Sequence, residues 1–260
     1  MTRRLYWLGN SAKSRVIDEI LAITPESEPV TVFDYGCGDG GDWPSILAEH
    51  PNLRLLGYEP YAPSYRKARE RLGNLAADIL TGNDIDALAV KADYIVSFSV
   101  FEHVVQRSGF LRHAKRILAA NGMFYLNYDD GHFRNILDVS RPATWMPALR
   151  AWGRTVVSRP FAALGLQSHY QRRVNAEDVD HLVVESGFRI DRVDYHNLIC
   201  LKELAKAMPR SLQQGYAAWW LDAEKQLNEQ FRAQLSEKRH GDTTNLWQQM
   251  LSRTLRLRHA

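Results

Sequence analysis

The sequence has only two cysteines, Cys37 and Cys200, among its 260 residues. Two cysteines cannot build a disulfide framework or a cysteine-rich metal site, so we expect a reducing, cytoplasmic location and no metal. No apolar run approaches the roughly 18 residues that a membrane-spanning helix needs. The basic stretch Met1–Gly9 lacks the apolar segment of a signal peptide. These absences exclude a disulfide-rich secreted domain and an integral membrane protein.

Charge of one sign and internal repetition are also lacking. The 33 basic and 30 acidic residues leave a net charge of +3, which disfavours nucleic acid as a partner. No repeat or low-complexity segment interrupts the chain. Hydrophobic residues at 45% and charged residues at 24% are ordinary globular values, so the sequence predicts a folded enzyme or binding domain rather than a disordered tail.

Short apolar runs alternate with amphipathic segments over the first half of the chain. Apolar runs with no polar face are typical of strands that are covered on both sides, and strand–helix alternation predicts parallel strands joined by right-handed crossovers. We therefore predict an α/β fold with a doubly wound, mostly parallel sheet and helices on both faces. The predicted strands are Val30–Phe33, Leu53–Tyr58, Asp93–Ser99 and Met123–Tyr128; the predicted helices are Ser11–Ile23, Trp43–Glu49, Pro63–Leu72 and Phe110–Ala120, the last closed by Asn121 and Gly122.

A glycine-rich turn follows the first predicted strand. Gly36, Gly38 and Gly41 match the G-x-G-x-x-G pattern of dinucleotide-binding turns, with Gly40 between them. Glycines let the backbone turn sharply and approach a ligand, and the helix that starts at Trp43 offers its N-terminus. Ligands bind beyond the carboxyl ends of the strands in such sheets, so this turn predicts a nucleotide cofactor.

Glu59 ends the second predicted strand in a matching position. It follows the glycines by about 20 residues, which is the spacing of a carboxylate that binds a ribose diol. An exposed surface glutamate is the alternative, but the apolar strand before it, Leu53–Tyr58, favours the ribose role.

Two further motifs decide between nucleotide cofactors. Asp34 precedes the glycines where dinucleotide-binding strands keep an apolar residue, and Glu102-His103-Val104 follows the fourth strand. With these motifs the sequence resembles the class I S-adenosylmethionine-dependent methyltransferases, over roughly residues 10–200. Their first motif, an acidic residue followed by Gly-x-Gly-x-Gly, stands here as Asp34-Tyr-Gly36-Cys-Gly38-Asp-Gly40. Their second acidic residue stands as Glu59, and Asn121-Gly122 stands where they often have Pro-Gly-Gly. The ordered set of motifs, rather than any single one, carries the resemblance.

The resemblance implies a Rossmann-like fold, S-adenosylmethionine as cofactor, and a role for each matching residue. The glycine turn would pack on the methionine part, with Asp34 near its ammonium group. Glu59 would take the ribose hydroxyls, and Tyr58 or Pro60 would lie against the adenine. An acidic residue at the adenine amino group is either Asp84, followed by Ile85, or Asp78; we prefer Asp84. The predicted cofactor-binding residues are Asp34, Gly36, Cys37, Gly38, Gly40, Glu59, Pro60, Asp84, Ile85 and Ser99, the last within a Phe98–Phe101 wall at the sulfonium.

Histidines and carboxylates follow the fourth and fifth strands, where an acceptor would sit. A general base is needed only if the acceptor is a hydroxyl or a protonated amine. Capping of the next helix is the alternative role for Glu102 and His103. The base candidates are His132, His103, Asp129, Asp130 and Glu102, and no metal-ligand spacing joins them.

The second half of the chain is less regular. We predict a methyltransferase domain over 1–208, with a lid insertion at about 130–172 in which arginines alternate with aromatic residues. Such residues suit an anionic or sugar-like acceptor. Residues 209–260 are predicted as a helical extension, packed on the domain or on a partner subunit, and a homodimer and a peripheral membrane contact stay open. Thr254–Arg258 alternates as a strand would, although helical periodicity competes there.

The predicted function is O-methylation of a small-molecule or glycan-like acceptor, with an anionic acceptor as one option. N- or C-methylation is the alternative within the same family. A nicotinamide-dependent oxidoreductase and a cofactor-binding protein without turnover are the alternatives from other classes, and Asp34 with Glu102-His103 argues against the oxidoreductase.

Overall fold

A computed structural model describes residues 10–82, 84–129, 174, 176–236 and 250–260. The predicted lid insertion, with His132 and Asp130, lies outside the described residues. The strands are β1 (Val30–Tyr35), β2 (Leu53–Tyr58), β3 (Ala77–Leu80), β4 (Ala92–Phe98), β5 (Leu118–Asp129), β6 (Phe188–Leu198) and β7 (Met250–His259). The helices are α1 (Ser11–Ile23), α2 (Trp43–Glu49), α3 (Ala62–Leu72), α4 (Asp84–Ala87), α5 (Arg107–Ile117), α6 (Ala176–Glu185), α7 (Ile199–Ala207) and α8 (Arg210–Ser236), with a 3-10 turn at Phe101–His103.

The seven strands form one sheet in the order β3-β2-β1-β4-β5-β7-β6. The pairs β1–β2, β2–β3, β1–β4 and β4–β5 are parallel, which confirms the predicted doubly wound sheet. The strand order reverses direction between β1 and β4. A sheet of this type opens a crevice beyond the carboxyl ends of the strands at that reversal, so the glycine turn after β1 lies where a ligand is expected.

The helix before β5 ends earlier than the sequence predicts. We expected Phe110–Ala120 to be helical, with Asn121 and Gly122 as its cap, but α5 ends at Ile117 and both cap residues belong to β5. The pairing of β4 with β5 moves from Ala92–Leu118 to Tyr94–Met123, so the register shifts between these two pairs through a bulge or an irregular stretch. β5 continues through this shift, so the Asn-Gly pair lies within the strand and not at the end of a helix.

The strand left open by the sequence lies in the last described segment. Helical periodicity competed with strand-like alternation over Thr254–Arg258, but from Met250 to His259 the chain is β7. Leu255 and Leu257 are fully buried, whereas Arg256 and Arg258 between and beyond them are half-buried. Burial on alternate residues is the period of a strand, so packing overrides helical propensity. The helical part of the extension is α8.

The chain divides into two compact units, the larger made of Thr24–Arg192 and Leu255–Ala260. Aromatic rings run through its core. Tyr35 stacks on Phe110 with ring centroids 4.0 Å apart, Phe101 meets Phe110 at 5.5 Å, and Phe124 meets Phe188 at 5.8 Å. Such ring contacts add to the burial of apolar surface and make the sheet a rigid platform for its loops.

The smaller unit is made of Met1–Ile23 and Val193–Thr254. At its centre the fully buried Glu224 of α8 accepts hydrogen bonds from Ser11 Oγ, Leu198 N and Trp220 Nε1. Asn197, at a backbone φ of +63°, donates to Asn10 Oδ1 and to Ser252 Oγ. These bonds satisfy polar groups that burial would otherwise make costly, and they tie four separate chain segments together.

No helix that the structure describes is both long and apolar enough to cross a membrane.

Candidate active site

The glycine turn after β1 is held by left-handed backbone positions. Gly36, Gly38 and Gly40 have φ values of +92°, +60° and +66°, a region that favours glycine. Gly36 N donates to Tyr58 O at 2.9 Å, so the turn folds over the end of β2. A Cβ on Gly36 would lie 2.4 Å from Val100 Cγ2, whereas no heavy atom of the described residues lies within 4 Å of a Cβ on Gly38. The turn is therefore closely packed at Gly36 and open at Gly38.

Cys37 turns inward between these two glycines. The residue is buried, its backbone N–H donates to Tyr58 O at 3.1 Å, and a Cβ on Gly57 would lie 2.9 Å from its Sγ. Its side chain therefore packs against Gly57 of β2.

Glu59 connects the end of β2 to the glycine turn. Its Oε2 accepts a hydrogen bond from Gly38 N at 2.9 Å, and its Oε1 accepts one from Tyr61 N at 2.8 Å. The side chain is 8% exposed, and this burial raises the pKa of Glu59, with the nearby charge of Asp34 adding to the rise and the two backbone N–H groups opposing it. The structure thus places the predicted ribose carboxylate against the predicted glycine loop. Pro60 follows it and is exposed.

Asp34 lies within β1 rather than after it, because the strand extends to Tyr35. The indole Nε1 of Trp43 donates to Asp34 Oδ2 at 2.7 Å, and Asp34 and Trp43 are only 2% and 1% exposed. Sequence reasoning singled out Asp34 but missed Trp43. The only signal was an indole at the first position of the helix that follows the glycines.

Arg71 of α3 holds the glycine turn from outside. Its guanidinium donates to Asp39 O at 3.0 Å and lies 2.9 Å from Asp39 Oδ2. Burial acts to raise the pKa of Asp39, but the hydrogen bond and charge of Arg71 and the N–H of Gly41 outweigh it and leave the pKa lowered. Sequence reasoning missed this ion pair, which crosses from α3 to the turn.

The two candidates for the adenine amino group differ in placement. Asp78 lies within β3 and forms an exposed ion pair with Arg54 at 2.7 Å. Asp84 starts α4 beyond the end of β3, where its Oδ2 accepts a hydrogen bond from Thr81 N at 3.2 Å, and the next residue, Ile85, is buried. The carboxyl end of β3 therefore carries Asp84 and Ile85, whereas Asp78 sits further back along the strand.

Tyr58 connects this region to β2, since its hydroxyl donates to Gly82 O at 3.1 Å. Burial raises the pKa of the Tyr58 hydroxyl, and the charge of Glu59 raises it further. The hydroxyl therefore stays protonated at neutral pH and remains a donor to the turn after β3.

The end of β4 contains a second unusual backbone position. Ser99 has a φ of +54°, and its N–H donates to Asn127 O of β5 at 3.2 Å. A non-glycine residue in this region is uncommon, and such residues cluster at functional sites. The 3-10 turn follows, with Glu102 buried and His103 half-buried.

The 3-10 turn packs on the end of β5. The rings of Phe101 and Tyr128 lie 6.2 Å apart, and the Arg107 guanidinium lies 5.2 Å from the centre of the Phe101 ring. The turn that carries Glu102 and His103 is thus placed beside the strand that ends at Asp129. His132 lies outside the described residues, so its position relative to these groups stays a prediction.

Tyr35 begins a row of three polar side chains that sequence reasoning missed. Its hydroxyl is 3.3 Å from His113 Nδ1, and His113 Nε2 is 3.0 Å from Asp86 Oδ1. Burial, with the nearby Tyr58 and Asp86, raises the pKa of Tyr35 well above its ordinary value. Among the described residues, no group of three or more histidine, cysteine or carboxylate side chains has a metal-binding arrangement.

Comparison with known proteins finds methyltransferases, both by family profile and by sequence identity. The family profile described as "Methyltransferase domain" matches residues 33–124, which run from β1 to β5. The chain is 23% identical over 198 residues to the malonyl-[acyl-carrier protein] O-methyltransferase of Geobacter sulfurreducens, covering 72% of this chain and 68% of that protein. It is 27% identical over 158 residues to the trans-aconitate 2-methyltransferase of an Azoarcus species, covering 58% of this chain and 60% of that protein.

Solved structures share the fold at lower identity. The cyclopropane synthase MmaA2 from Mycobacterium tuberculosis superposes with a TM-score of 0.58 at 18% identity, covering 95% of this chain and 84% of that chain. The overlap extends well beyond the profile match and includes the sheet described above.

Proposed function

Since the chain belongs to the class I S-adenosylmethionine-dependent methyltransferases, we propose that it methylates a carboxylate oxygen of a small, anionic acceptor. S-adenosylmethionine is its cofactor, and the bound cofactor supplies an electrophilic methyl group on a positively charged sulfur. This family membership is incompatible with the nicotinamide-dependent oxidoreductase considered from the sequence.

The observation that carries the cofactor site is the bond between Glu59 and the glycine turn. An ionised carboxylate has about four lone-pair positions, and Glu59 uses one on each oxygen for the N–H groups of Gly38 and Tyr61. One position on each oxygen is left for a ribose hydroxyl. The open space beside Gly38 fits the chain of the cofactor that continues from the ribose.

We propose the remaining cofactor contacts from the positions of other residues relative to Glu59 and the glycine turn. We assign Asp34 to the ammonium group, the backbone of Gly36, Cys37, Gly38 and Gly40 to the methionine part, and Asp84 with Ile85 to the adenine. Pro60 lies against the adenine and Ser99 at the sulfonium end. Asp84 is preferred to Asp78 because Asp78 lies within β3 and forms an ion pair with Arg54 of β2.

The carboxylate acceptor is supported by the two kinds of relative. A malonyl group and trans-aconitate both carry free carboxylates, and the names of those relatives state methyl transfer. A carboxylate is ionised at neutral pH, so it reacts without a general base. For that reaction we assign His103 and His132 to orient the acceptor, which aligns its oxygen with the methyl group, and Glu102 and Asp129 are not needed as bases.

The test is transfer of a radiolabelled methyl group from S-adenosylmethionine by the full chain. Trans-aconitate, a malonyl thioester and a sugar alcohol are offered separately. We expect label in one of the two acids, in a product that releases labelled methanol in mild alkali, because esters hydrolyse there. Label that resists alkali and resides in the sugar or an amine would contradict carboxylate methylation and restore the role of a general base.

A further inference from the structure

We propose that Trp43 is a positioning residue for the methyl donor. Its indole N–H holds the Asp34 carboxylate so that the carboxylate receives the ammonium group of the methionine part. This inference rests on the cofactor role proposed above for Asp34, and it gives Trp43 a task beyond filling the core.

The geometry joins two groups that the fold fixes independently. Asp34 pairs with Gly57 of β2 and with Val96 of β4, so its backbone lies in the middle of the parallel sheet. Trp43 begins α2, and its backbone N–H donates to Gly40 O at 3.3 Å. The 2.7 Å hydrogen bond from Trp43 Nε1 to Asp34 Oδ2 therefore joins the strand before the glycine turn to the helix after it.

Burial makes a hydrogen-bond donor favourable for this carboxylate. Asp34 is 2% exposed, and burial disfavours the charged form of a carboxylate unless hydrogen bonds compensate. An ammonium group is attracted to the charged form and much less to the protonated one. A donor that favours the charged form and fixes its direction should therefore strengthen binding of any ligand that carries the ammonium group.

The chain contains a second hydrogen bond from a buried tryptophan to a buried carboxylate, which serves as a control. Trp220 Nε1 donates to Glu224 in the smaller unit, and Trp220 is fully buried like Trp43. Replacing either tryptophan by phenylalanine removes one N–H donor from one buried carboxylate. Only Trp43 belongs to the segment that surrounds the glycine turn, so Trp220→Phe controls for general loss of stability.

The experiment measures the binding of two ligands by calorimetry. S-adenosylhomocysteine carries the amino-acid part with its ammonium group, whereas 5′-methylthioadenosine lacks that part and keeps the adenine and ribose. For Trp43→Phe we expect an affinity for S-adenosylhomocysteine lower by about tenfold or more, as for the loss of one hydrogen bond to a charged group. The affinity for 5′-methylthioadenosine should stay within about twofold of wild type, since a tenfold change is 1.4 kcal/mol. Trp220→Phe should leave both affinities unchanged in the folded protein.

A double-mutant cycle adds a readout that a purely structural role does not move. Asp34→Asn removes the charge, so Trp43→Phe should weaken S-adenosylhomocysteine much less in that background than alone. Equal losses for both ligands, unchanged S-adenosylhomocysteine affinity, or additive effects in the cycle would each overturn the inference.

Two further outcomes separate this inference from the proposed function. Failure of the wild-type chain to bind S-adenosylhomocysteine would refute the cofactor site itself. An unaffected Asp34→Asn variant would remove Asp34 from the ammonium role and overturn the inference, while the site at Glu59 would stand. Should Trp43→Phe not fold, the indole N–H resonance of Trp43 in the wild-type protein is the second measurement. It should shift with S-adenosylhomocysteine and not with 5′-methylthioadenosine, and the absence of a ligand-specific shift would overturn the inference.

Discussion

Glu59 and Glu224 are both buried glutamates, but their hydrogen-bond donors come from very different places. Glu59 is bonded by Gly38 N and Tyr61 N, from the glycine turn and from the residue two positions on. Glu224 is bonded by Ser11 Oγ, Leu198 N and Trp220 Nε1, from three different elements of the smaller unit. The first carboxylate faces a turn with open space at Gly38, while the second is fully buried among its donors.

The difference separates a carboxylate that organises the fold from one that retains capacity for a ligand. Glu224 takes its three donors from α1, β6 and its own helix α8, so it stabilises the packing of these segments. Glu59 has only two donors, one on each oxygen, so a lone pair on each oxygen is available to a ligand. The following predictions test whether the two glutamates divide in this way.

The largest effect is expected for Glu224→Ala. It leaves three buried donors without their acceptor, each at a cost of about 1–3 kcal/mol, so we expect the free energy of unfolding to fall by about 4 kcal/mol. Urea denaturation measures this loss. Glu229→Ala, an exposed position on the same helix, is the control and should change stability by less than about 0.5 kcal/mol. A loss at Glu224 no larger than that of the control would contradict the structural role.

Glu59→Ala should act on binding instead. Loss of the charged acceptor for two ribose hydroxyls should lower S-adenosylmethionine affinity about a hundredfold, or about 3 kcal/mol. Calorimetry on the folded variant measures the change, with Glu70→Ala on the exposed side of α3 as the control. An unchanged dissociation constant would remove Glu59 from the ribose role and place it with Glu224.

Gly36 and Gly38 of the glycine turn should also differ in this way, one affecting mainly stability and the other mainly cofactor binding. Gly36→Ala combines a left-handed backbone with a Cβ 2.4 Å from Val100, so we expect it to reduce stability by about 2 kcal/mol or more. Gly38→Ala has the backbone cost of about 1 kcal/mol alone, but its Cβ would enter the space assigned to the cofactor. Thermal denaturation and calorimetry on both variants should show stability loss mainly at Gly36 and affinity loss at Gly38. The reverse pattern would place the cofactor elsewhere.

The smallest effect is the pH dependence of binding. Burial raises the pKa of Glu59. The affinity for S-adenosylmethionine should therefore begin to fall at a higher pH than it would with an ordinary glutamate, because protonation removes the charged acceptor. The sign for stability is opposite: because the folded pKa exceeds the unfolded one, the contribution of Glu59 to the free energy of unfolding falls as pH rises through the raised value. Calorimetry across acidic pH on wild type and Glu59→Gln measures the first effect. An equally steep acid dependence in Glu59→Gln would assign it to another group.

The sequence predicted those features whose partners are close in the chain. The glycine turn, Glu59 and strands β1, β2 and β4 follow from local periodicity and spacing, and Glu59 does lie against Gly38. The Trp43–Asp34 bond depends on how α2 returns onto β1, which no spacing rule specifies. The bonds of Glu224 join residues up to 213 positions apart, so only the folded chain reveals them.

Element ends were the least predictable part of the fold. The Asn121-Gly122 pair is a good helix cap in isolation, but pairing of β5 with β4 draws it into the strand. Competing periodicities over Thr254–Arg258 were decided by burial of Leu255 and Leu257, a tertiary effect. In both cases the packing of the sheet outweighed a weak local preference.

The position of β7 between β5 and β6 has a consequence for biosynthesis. β6 is made before β7, yet in the described sheet it is hydrogen-bonded to β7 and not to β5. A growing chain on the ribosome therefore has the complete glycine turn and Glu59 while β5 still presents an unpaired edge. Unpaired edges can pair with other chains, so the edge of β5 stays exposed to such pairing until β7 has been made.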